Sequence, residues 1–459
     1  MTRRRQLVFT VVGTLAALFV AVDLAILVLP PELVLLDGVI GGFWETLRES
    51  PALVMTFVLW QLVLLYTIPV SFWSYLFVFY LWKHYRPTRR GDDEVSIEWT
   101  PDAVQVRVLT IDNENVVQET VDSLPDTLSD VVVVAEADID VDGADVVVVP
   151  ESFTCEFAQF KGRAIEYARI HHPTDKEYVL YLDEDTRIPS FDGIPSNADI
   201  VQFRERPVRT GGILPYLAEI HRIGFNIEQR AFPYLRVPFY AWGGGIAIRR
   251  SLEDRITWDT DTIVEDSVFA WRAVLDEDAT FEVVDTFFEN QAPPSVRAMI
   301  GQRRRWLTGT RSKSRLLPWD YRILYHFRDI GWAVSVFGPV FWVTSALTYA
   351  GIETIPLTVL VLPEVYVALS LVLLAHVYLW SLLGLIYYRE RPHIWLGLLV
   401  LTPFVVLLHS AGALYGILSP ARQFAVTEKV SNTVENAAET VVELTPLGTD
   451  GDATDRRDD

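Results

Sequence analysis

Long apolar stretches bracket a polar block in this chain, and they constrain its fold more than any single motif does. Residues 7–29 and roughly 53–82 are long enough to cross a bilayer, which takes about 20 apolar residues. Three more apolar stretches follow at about 331–350, 365–388 and 394–418, and the polar block at 91–325 lies between the two sets. Half of the 459 residues are hydrophobic although 22% are charged, as expected when a soluble part and a membrane part share one chain.

The flanks of these stretches set an orientation. "TRRR" at 2–5 precedes the first and "KHYRPTRR" at 83–90 follows the second. Basic residues gather on the cytoplasmic side of a membrane, so the polar block is expected in the cytoplasm. The first stretch is too long for a signal peptide and no small-residue cleavage site follows it, so a retained anchor is expected. The expected organisation is a membrane region with two transmembrane helices at 1–90, one domain at 91–325, and a second membrane region at 326–420 with about three transmembrane or re-entrant segments. A tail occupies 421–459, and its last 30 residues, polar and acidic with few aromatics, are expected to be disordered.

The formal net charge is −21, and only five of the 39 basic residues are lysine. An acidic, Asp-rich surface that prefers Arg to Lys stays hydrated in strong salt, which points to a halophilic source and away from nucleic acid as a partner. The single cysteine, Cys155, excludes an internal disulfide and suits a reducing cytoplasm.

Within the block, "VQVRVLTI" (104–111), "DVVVVAE" (130–136), "ADVVVVP" (144–150) and "YVLYLDED" (178–185) read as buried strands bounded by acidic or Pro turns. "NVVQETVDSL" follows the first and "AQFKGRAIEYARIHH" precedes the fourth, both with helical spacing. This alternation predicts a Rossmann-like α/β sheet with helices on both faces, in which ligands bind outside the carboxyl ends of the strands.

The fourth strand runs straight into Asp183, Glu184 and Asp185. Like charges crowded at a buried strand end call for a cation. The first and third acids, able to point the same way, make a hard-oxygen site for Mg²⁺ or Mn²⁺, with a nucleotide diphosphate completing the shell; a solvated acidic turn is the alternative. "TIVEDSVFAWRAV" supplies a second acidic pair, Glu265 and Asp266, at the start of an amphipathic helix. There they either serve the helix dipole or include a general base that deprotonates an acceptor hydroxyl. "GQRRRWLTGTRSKSR" from Gly301 is either a juxtamembrane basic cluster or a segment whose Gln302, Arg305 and Trp306 line a sugar or acceptor site. Lys161 and Arg163 are candidates for phosphate or nucleotide contact, with an exposed basic helix face as the other reading. Gly243, Gly244 and Gly245 suit close approach of backbone to a ligand, or a tight turn.

Taken in order, a D-x-D after a strand, a glycine turn before a short helix, an E-D pair and a Q-x-x-R-W running into membrane spans resemble the membrane-bound family 2 glycosyltransferases. That family includes cellulose, chitin and hyaluronan synthases. "WGGGIAIRRSLE", "IVEDSVFAWRA" and "QRRRWLTG" bring the likeness nearest to egghead-type β-1,4-mannosyltransferases and their microbial relatives. The resemblance covers about residues 104–318 plus the flanking spans and implies a GT-A type domain, with a mixed sheet, inserted between transmembrane helices. It also implies an inverting hexosyltransferase using a UDP- or GDP-sugar, with GDP-mannose favoured, and a lipid-linked or glycan acceptor at the cytoplasmic face.

Position by position, the resemblance assigns Asp183 and Asp185 to the metal and diphosphate, Asp266 to the catalytic base beside Glu265, and Gln302, Arg305 and Trp306 to donor and acceptor. The family's T-E-D reads Val264-Glu265-Asp266 here, without its Thr. Asp112, Glu114 and Glu136 fall where the family holds the nucleoside. "FAVTEK", Phe424 to Lys429, matches the F-x-V-T-x-K gating loop of cellulose synthase, which closes over the donor from the cytoplasm. Three full spans after a cytoplasmic domain would leave that segment outside, so either one span is re-entrant, with 394–418 and its Pro403 and His409 as the candidate, or the match is accidental.

Competing readings make different predictions. A processive synthase that exports its polymer differs in product length, and five spans are few for a pore unless a dimer supplies more. A transporter would place ionisable residues in its spans, where the later ones offer little beyond His376 and His409. A non-catalytic scaffold would bind the donor without turning it over.

Overall fold

In a computed structural model, the described residues are 97–352, 363–389, 391–421 and 429–431, together with 58–59, 61–63 and 66–67. The first expected membrane helix and most of the second, the bulk of "FAVTEK" and the acidic tail lie outside them.

The centre is a mixed sheet of seven strands in the order β3-β2-β1-β4-β6-β5-β7. These are β1 (Val104–Thr110), β2 (Val131–Ala135), β3 (Asp145–Val148), β4 (Tyr178–Asp183), β5 (Ile200–Val208), β6 (Ile246–Arg249) and β7 (Phe281–Gln291). The run β3-β2-β1-β4 is parallel, β6 pairs antiparallel with both β4 and β5, and β5 pairs parallel with β7. This is the expected fold class, and the four strands foreseen from their Val-rich runs are the parallel half of the sheet.

Those runs do not alternate with polar residues because both faces are covered. Val179 and Tyr181 of β4 enter one core with Ala164, Ile165 and Ala168 of α2 (Phe160–His171) and Val268 and Phe269 of α5 (Glu265–Asp276). Tyr178, Leu180 and Leu182 enter the opposite core with Val117 and Val121 of α1 (Glu114–Asp122). Trp271, fully buried, keeps its indole satisfied by donating to the Pro238 carbonyl at 2.9 Å.

The second half of the chain is helical. After α3 (Ile213–Phe225), a 3₁₀ stretch (Asn226–Tyr234) and α4 (Arg250–Ile256) come α6 (Val296–Lys313), α7 (Trp319–Val334), α8 (Gly338–Tyr349), α9 (Pro363–Tyr388) and α10 (Pro392–Leu418). Trp319–Tyr349, Glu364–Tyr388 and Pro392–Leu418 are long and apolar enough to cross a membrane. They do not stand apart from the sheet domain. Tyr321, Leu324 and Tyr325 of α7 belong to the same core as β4. Gly224 of α3 meets the backbone of α9 at Trp380 and Gly384, and Gly412 and Gly416 of α10 meet the backbone of α6 at Ile300 and Arg304. Small residues at both crossings let helix backbones close together.

Candidate active site

A cavity of about 700 Å³ opens at the carboxyl ends of β1, β2 and β4 and continues between the apolar helices. Asp183, Glu184, Asp185, Glu265 and Asp266 line it, with Lys161, Gln302, Arg305 and Trp306. The topology explains the gathering: parallel strands end on one side, and α5 and α6 start or pass there.

Lys161 stands at the centre of the acids. Its ammonium lies 2.6 Å from Oδ1 of Asp183 and 3.4 Å from Oε1 of Glu265. It reaches them from the first turn of α2, directly after Phe160, whose φ of 52° is left-handed. A non-glycine residue held there costs about 1–3 kcal/mol, which the surrounding packing must offset. Opposite, Gly243 leaves room for the amine, since a Cβ there would come within 2.6 Å of Nζ. Burial opposes charge on Lys161, but Asp183, Glu265 and Asp266 override it and hold the ammonium above its ordinary value. Burial likewise works to raise Asp183, and Lys161 overrides it, so that carboxyl sits below the usual range.

Asp266 goes the other way. Burial, reinforced by neighbouring Glu265, pushes its carboxyl up to about 7, against the pull of Lys161. Its Oδ1 accepts the Ser267 N–H at 2.7 Å, and Ser267 Oγ in turn ties α5 to the Ala241 backbone next to the glycine turn. Glu184 is also pushed up by burial, to about 7, and accepts a hydrogen bond from Thr110 Oγ1 at 2.7 Å.

Asp185 is fully buried. Its Oδ2 accepts the Gln291 N–H at 2.8 Å and pairs with Lys429 at 2.5 Å. Its Oδ1 has no hydrogen-bond partner among the described residues. Lys429, the last residue of the "FAVTEK" match, therefore sits on the cavity side of the sheet domain, held further by Val430 against Gln291 and Ser431 against Glu119.

Around the Q-x-x-R-W segment, α6 turns Arg303 away from the cavity into a buried ionic cluster. Arg303 pairs with Glu219 of α3, bonds the Gln302 side-chain oxygen and stacks 4.3 Å from the Trp306 ring centroid. Arg222 pairs with the same Glu219 at 2.5 Å and with Glu205 at 2.6 Å. Burial lowers Arg303 to about 10 and lowers Arg305 as well.

Other foreseen residues are placed less centrally. Glu136 lines the cavity in an ion pair with Arg163, which also bonds the Phe153 carbonyl at 2.8 Å. Asp112 and Glu114 are exposed and outside the cavity lining, and Glu114 accepts the Asp140 N–H at 3.1 Å. Gly244 and Gly245 pack against Trp242, Asn290 and Phe288. Glu219, Arg222, Gln229 and Asp329 were not foreseen, though all line the same cavity, as does Lys429 of the "FAVTEK" match.

Residues 178–408 match a family model described as glycosyl transferase family group 2. Among curated proteins, the β-1,4-mannosyltransferase egh of Drosophila melanogaster is 22% identical over 319 residues, covering 63% of this chain and 67% of that protein. The β-1,4-mannosyltransferase bre-3 of Caenorhabditis elegans is 25% identical over 331 residues, covering 63% and 68%. Among solved structures, the mannosyltransferase PcManGT from Pyrobaculum calidifontis, in complex with GDP-Man and Mn²⁺, is 17% identical with a TM-score of 0.47, covering 78% of this chain and 100% of that one.

Proposed function

The chain belongs to glycosyl transferase family group 2, and from that premise we propose that it moves a hexose from a UDP- or GDP-sugar to a lipid-linked or glycan acceptor at the cytoplasmic face of a membrane. The observation that carries this reading is a cavity lined both by Asp183, Asp185 and Asp266 and by the apolar helices. The mannosyltransferase names of the relatives favour GDP-mannose.

Asp266 is the base. Catalysis by a carboxylate works best with a pKa near the working pH, and burial brings this one to about 7. Arg305, on the same wall, offsets charge on the departing diphosphate, and Trp306 and Gln302 orient the sugars. Lys161 keeps Glu265 and Asp183 compensated, so that Asp266 is the acid left to take up the acceptor proton. Glu136 and Arg163 line the cavity and are proposed to face the nucleoside, with Asp112 and Glu114 outside its lining.

The residues fit a divalent cation. Two strand-end carboxylates suffice when substrate phosphates and water complete the shell, and the unpartnered, buried Oδ1 of Asp185 is a ligand atom awaiting one. Asp183 and Asp185 would hold Mg²⁺ or Mn²⁺, which when bound neutralises the diphosphate.

The position of Lys429 supports the re-entrant alternative for the last apolar helix, because a segment 11 residues beyond Leu418 meets Asp185. The test is donor turnover by the purified protein with Mn²⁺ across UDP- and GDP-sugars plus a lipid extract. Metal-dependent release of one nucleoside diphosphate, lost in Asp266→Asn, is the expected result. Full turnover by that variant would remove Asp266 from the mechanism.

A further inference from the structure

Two loops deliver the charged groups of the acidic centre. One, 155–159, leads into α2 and Lys161; the other, 257–264, leads into α5 with Glu265 and Asp266. They meet at one carboxylate. Asp259 Oδ1 accepts the N–H groups of Phe157 and Ala158, both at 2.7 Å, and its Oδ2 accepts that of Glu156 at 3.1 Å. Successive backbone N–H groups turned the same way form a concave anion site, and here the protein fills it with its own side chain. Burial works to raise the Asp259 carboxyl, but those three N–H groups override it and hold it below the usual range, so it stays charged near neutral pH.

The Asp259 loop is itself fixed on two sides. Arg272 of α5 donates to the carbonyls of Ile256 and Thr257 at 2.5 and 3.0 Å and to Thr260 Oγ1 at 2.6 Å. The Trp258 N–H bonds Glu166 of α2 at 2.9 Å, and Arg169 holds both oxygens of that acid at 2.9 and 2.7 Å. Gly162, next to Lys161, brings the two loops together, since a Cβ there would lie 3.6 Å from the Trp258 carbonyl and 4.0 Å from Cβ of Glu265. Backbone strain falls in the same place. Among the described residues four non-glycines have a positive φ, and two of them, Thr257 at 57° and Phe160 at 52°, stand on either side of the clasp. Such strain persists only where the surroundings over-determine it. An ordinary turn acid ties its own loop, whereas Asp259 ties the other one.

We propose that Asp259 is a positioning residue for transfer, its clasp on 156–158 fixing where Lys161 enters the acidic centre. The assignment rests on the transferase reading above and deepens it. The Lys161 amine has little slack, wedged between Asp183 at 2.6 Å and the backbone of Gly243. A shift in the start of α2 therefore moves it off Asp183 and Glu265, and the balance that leaves Asp266 to take up the acceptor proton is lost.

The test uses the full chain in detergent and Asp259→Ala, which empties the anion site at a residue outside the cavity lining. Reductive methylation with formaldehyde and cyanoborohydride, in the absence of donor, reads each lysine by mass spectrometry. Lys161 is expected to react about ten-fold faster in the variant, the size of effect that one lost charge-assisted hydrogen bond gives, with Lys176 unchanged. Formate, a carboxylate small enough for the emptied site, should slow Lys161 again and restore part of the lost kcat, while leaving wild type unaffected. Asp259→Asn, which keeps one acceptor oxygen, should fall between. On top of Lys161→Met, Asp259→Ala should cost little more kcat, because it acts through the lysine. Equal Lys161 rates in variant and wild type, losses that add in full, or a lowered melting temperature and kcat that formate leaves in place would overturn the proposal. If wild type turned over no donor at all, the transferase reading would fail while the Lys161 rates still decided whether Asp259 places the lysine.

Discussion

The Lys161 ammonium bridges two carboxylates from different elements, Asp183 at the end of β4 at 2.6 Å and Glu265 at the start of α5 at 3.4 Å. Its charge also reaches Asp266, which burial and Glu265 hold near 7. As the proposed base, Asp266 must be ionised to act, so kcat/KM is expected to rise with pH through about 7 and level off above it. Lys161 opposes that raised value, because an opposite charge favours the ionised carboxyl. Lys161→Met should therefore move the acidic limb upward, apart from any loss in amplitude. A limb that stays in place would mean that another group sets the profile.

If Asp185 holds a divalent cation as proposed, Lys429 competes with it, because Oδ2 already carries the lysine at 2.5 Å. With donor absent, Lys429→Met is expected to tighten Mn²⁺ binding about five-fold, equivalent to roughly 1 kcal/mol. Asp185→Asn should weaken it at least ten-fold. Electron paramagnetic resonance of free Mn²⁺ reads both. Weaker binding in Lys429→Met would show that the lysine supports the metal rather than opposing it.

Much of this site was legible because its signals are local. Val-rich runs mark strands covered on both faces, and the acids directly after such a run read as a cation site or a solvated turn; the structure buries Glu184 and Asp185 in that turn. What escaped is set by long-range packing. The sequence matches Lys429 to a gating loop but does not pair it with Asp185, 244 residues earlier in the chain. Arg303 sits in "RRRW", where it reads as one charge in a basic run, yet it is fully buried because α3 and α10 close over that face of α6. Gln229 and Asp329 carry no motif, and only the packing of α7 against the 3₁₀ stretch puts them on one wall. Asp112 and Glu114 follow β1 as the likeness implies, but α1 starts so soon after the strand that both stay exposed.

The Glu219–Arg303 pair is fully buried, with Arg222 on the other side of the same carboxylate. Removing one partner of such a pair leaves a charge stranded and costs about 3–5 kcal/mol. Arg303→Met and Glu219→Gln are each expected to lower the melting temperature sharply in detergent. The double variant should lose clearly less than the sum, because neither charge is then abandoned. Strict additivity would argue that the two groups act independently. Arg303 also seats Trp306 and Gln302, so a weakened acceptor KM should accompany the stability loss.

Two glycines test how the apolar helices meet the sheet domain, because intrinsic propensity and packing predict opposite signs. Alanine in a helix interior is favoured over glycine by about 1 kcal/mol. At Gly301 on α6, where a Cβ would meet nothing within 4 Å, that preference should rule, and Gly301→Ala should stabilise. At Gly384 on α9, a Cβ would run into the Ile220 carbonyl of α3, a backbone atom that does not yield like a side chain. Overpacking costs about 1–3 kcal/mol, which outweighs the propensity gain, so Gly384→Ala should lower the melting temperature. The mirror position, Gly224 against the Trp380 carbonyl, should behave alike. If Gly384→Ala instead stabilised as Gly301→Ala does, α3 and α9 would not cross in contact, and the cavity between the apolar helices would be wider than the one described.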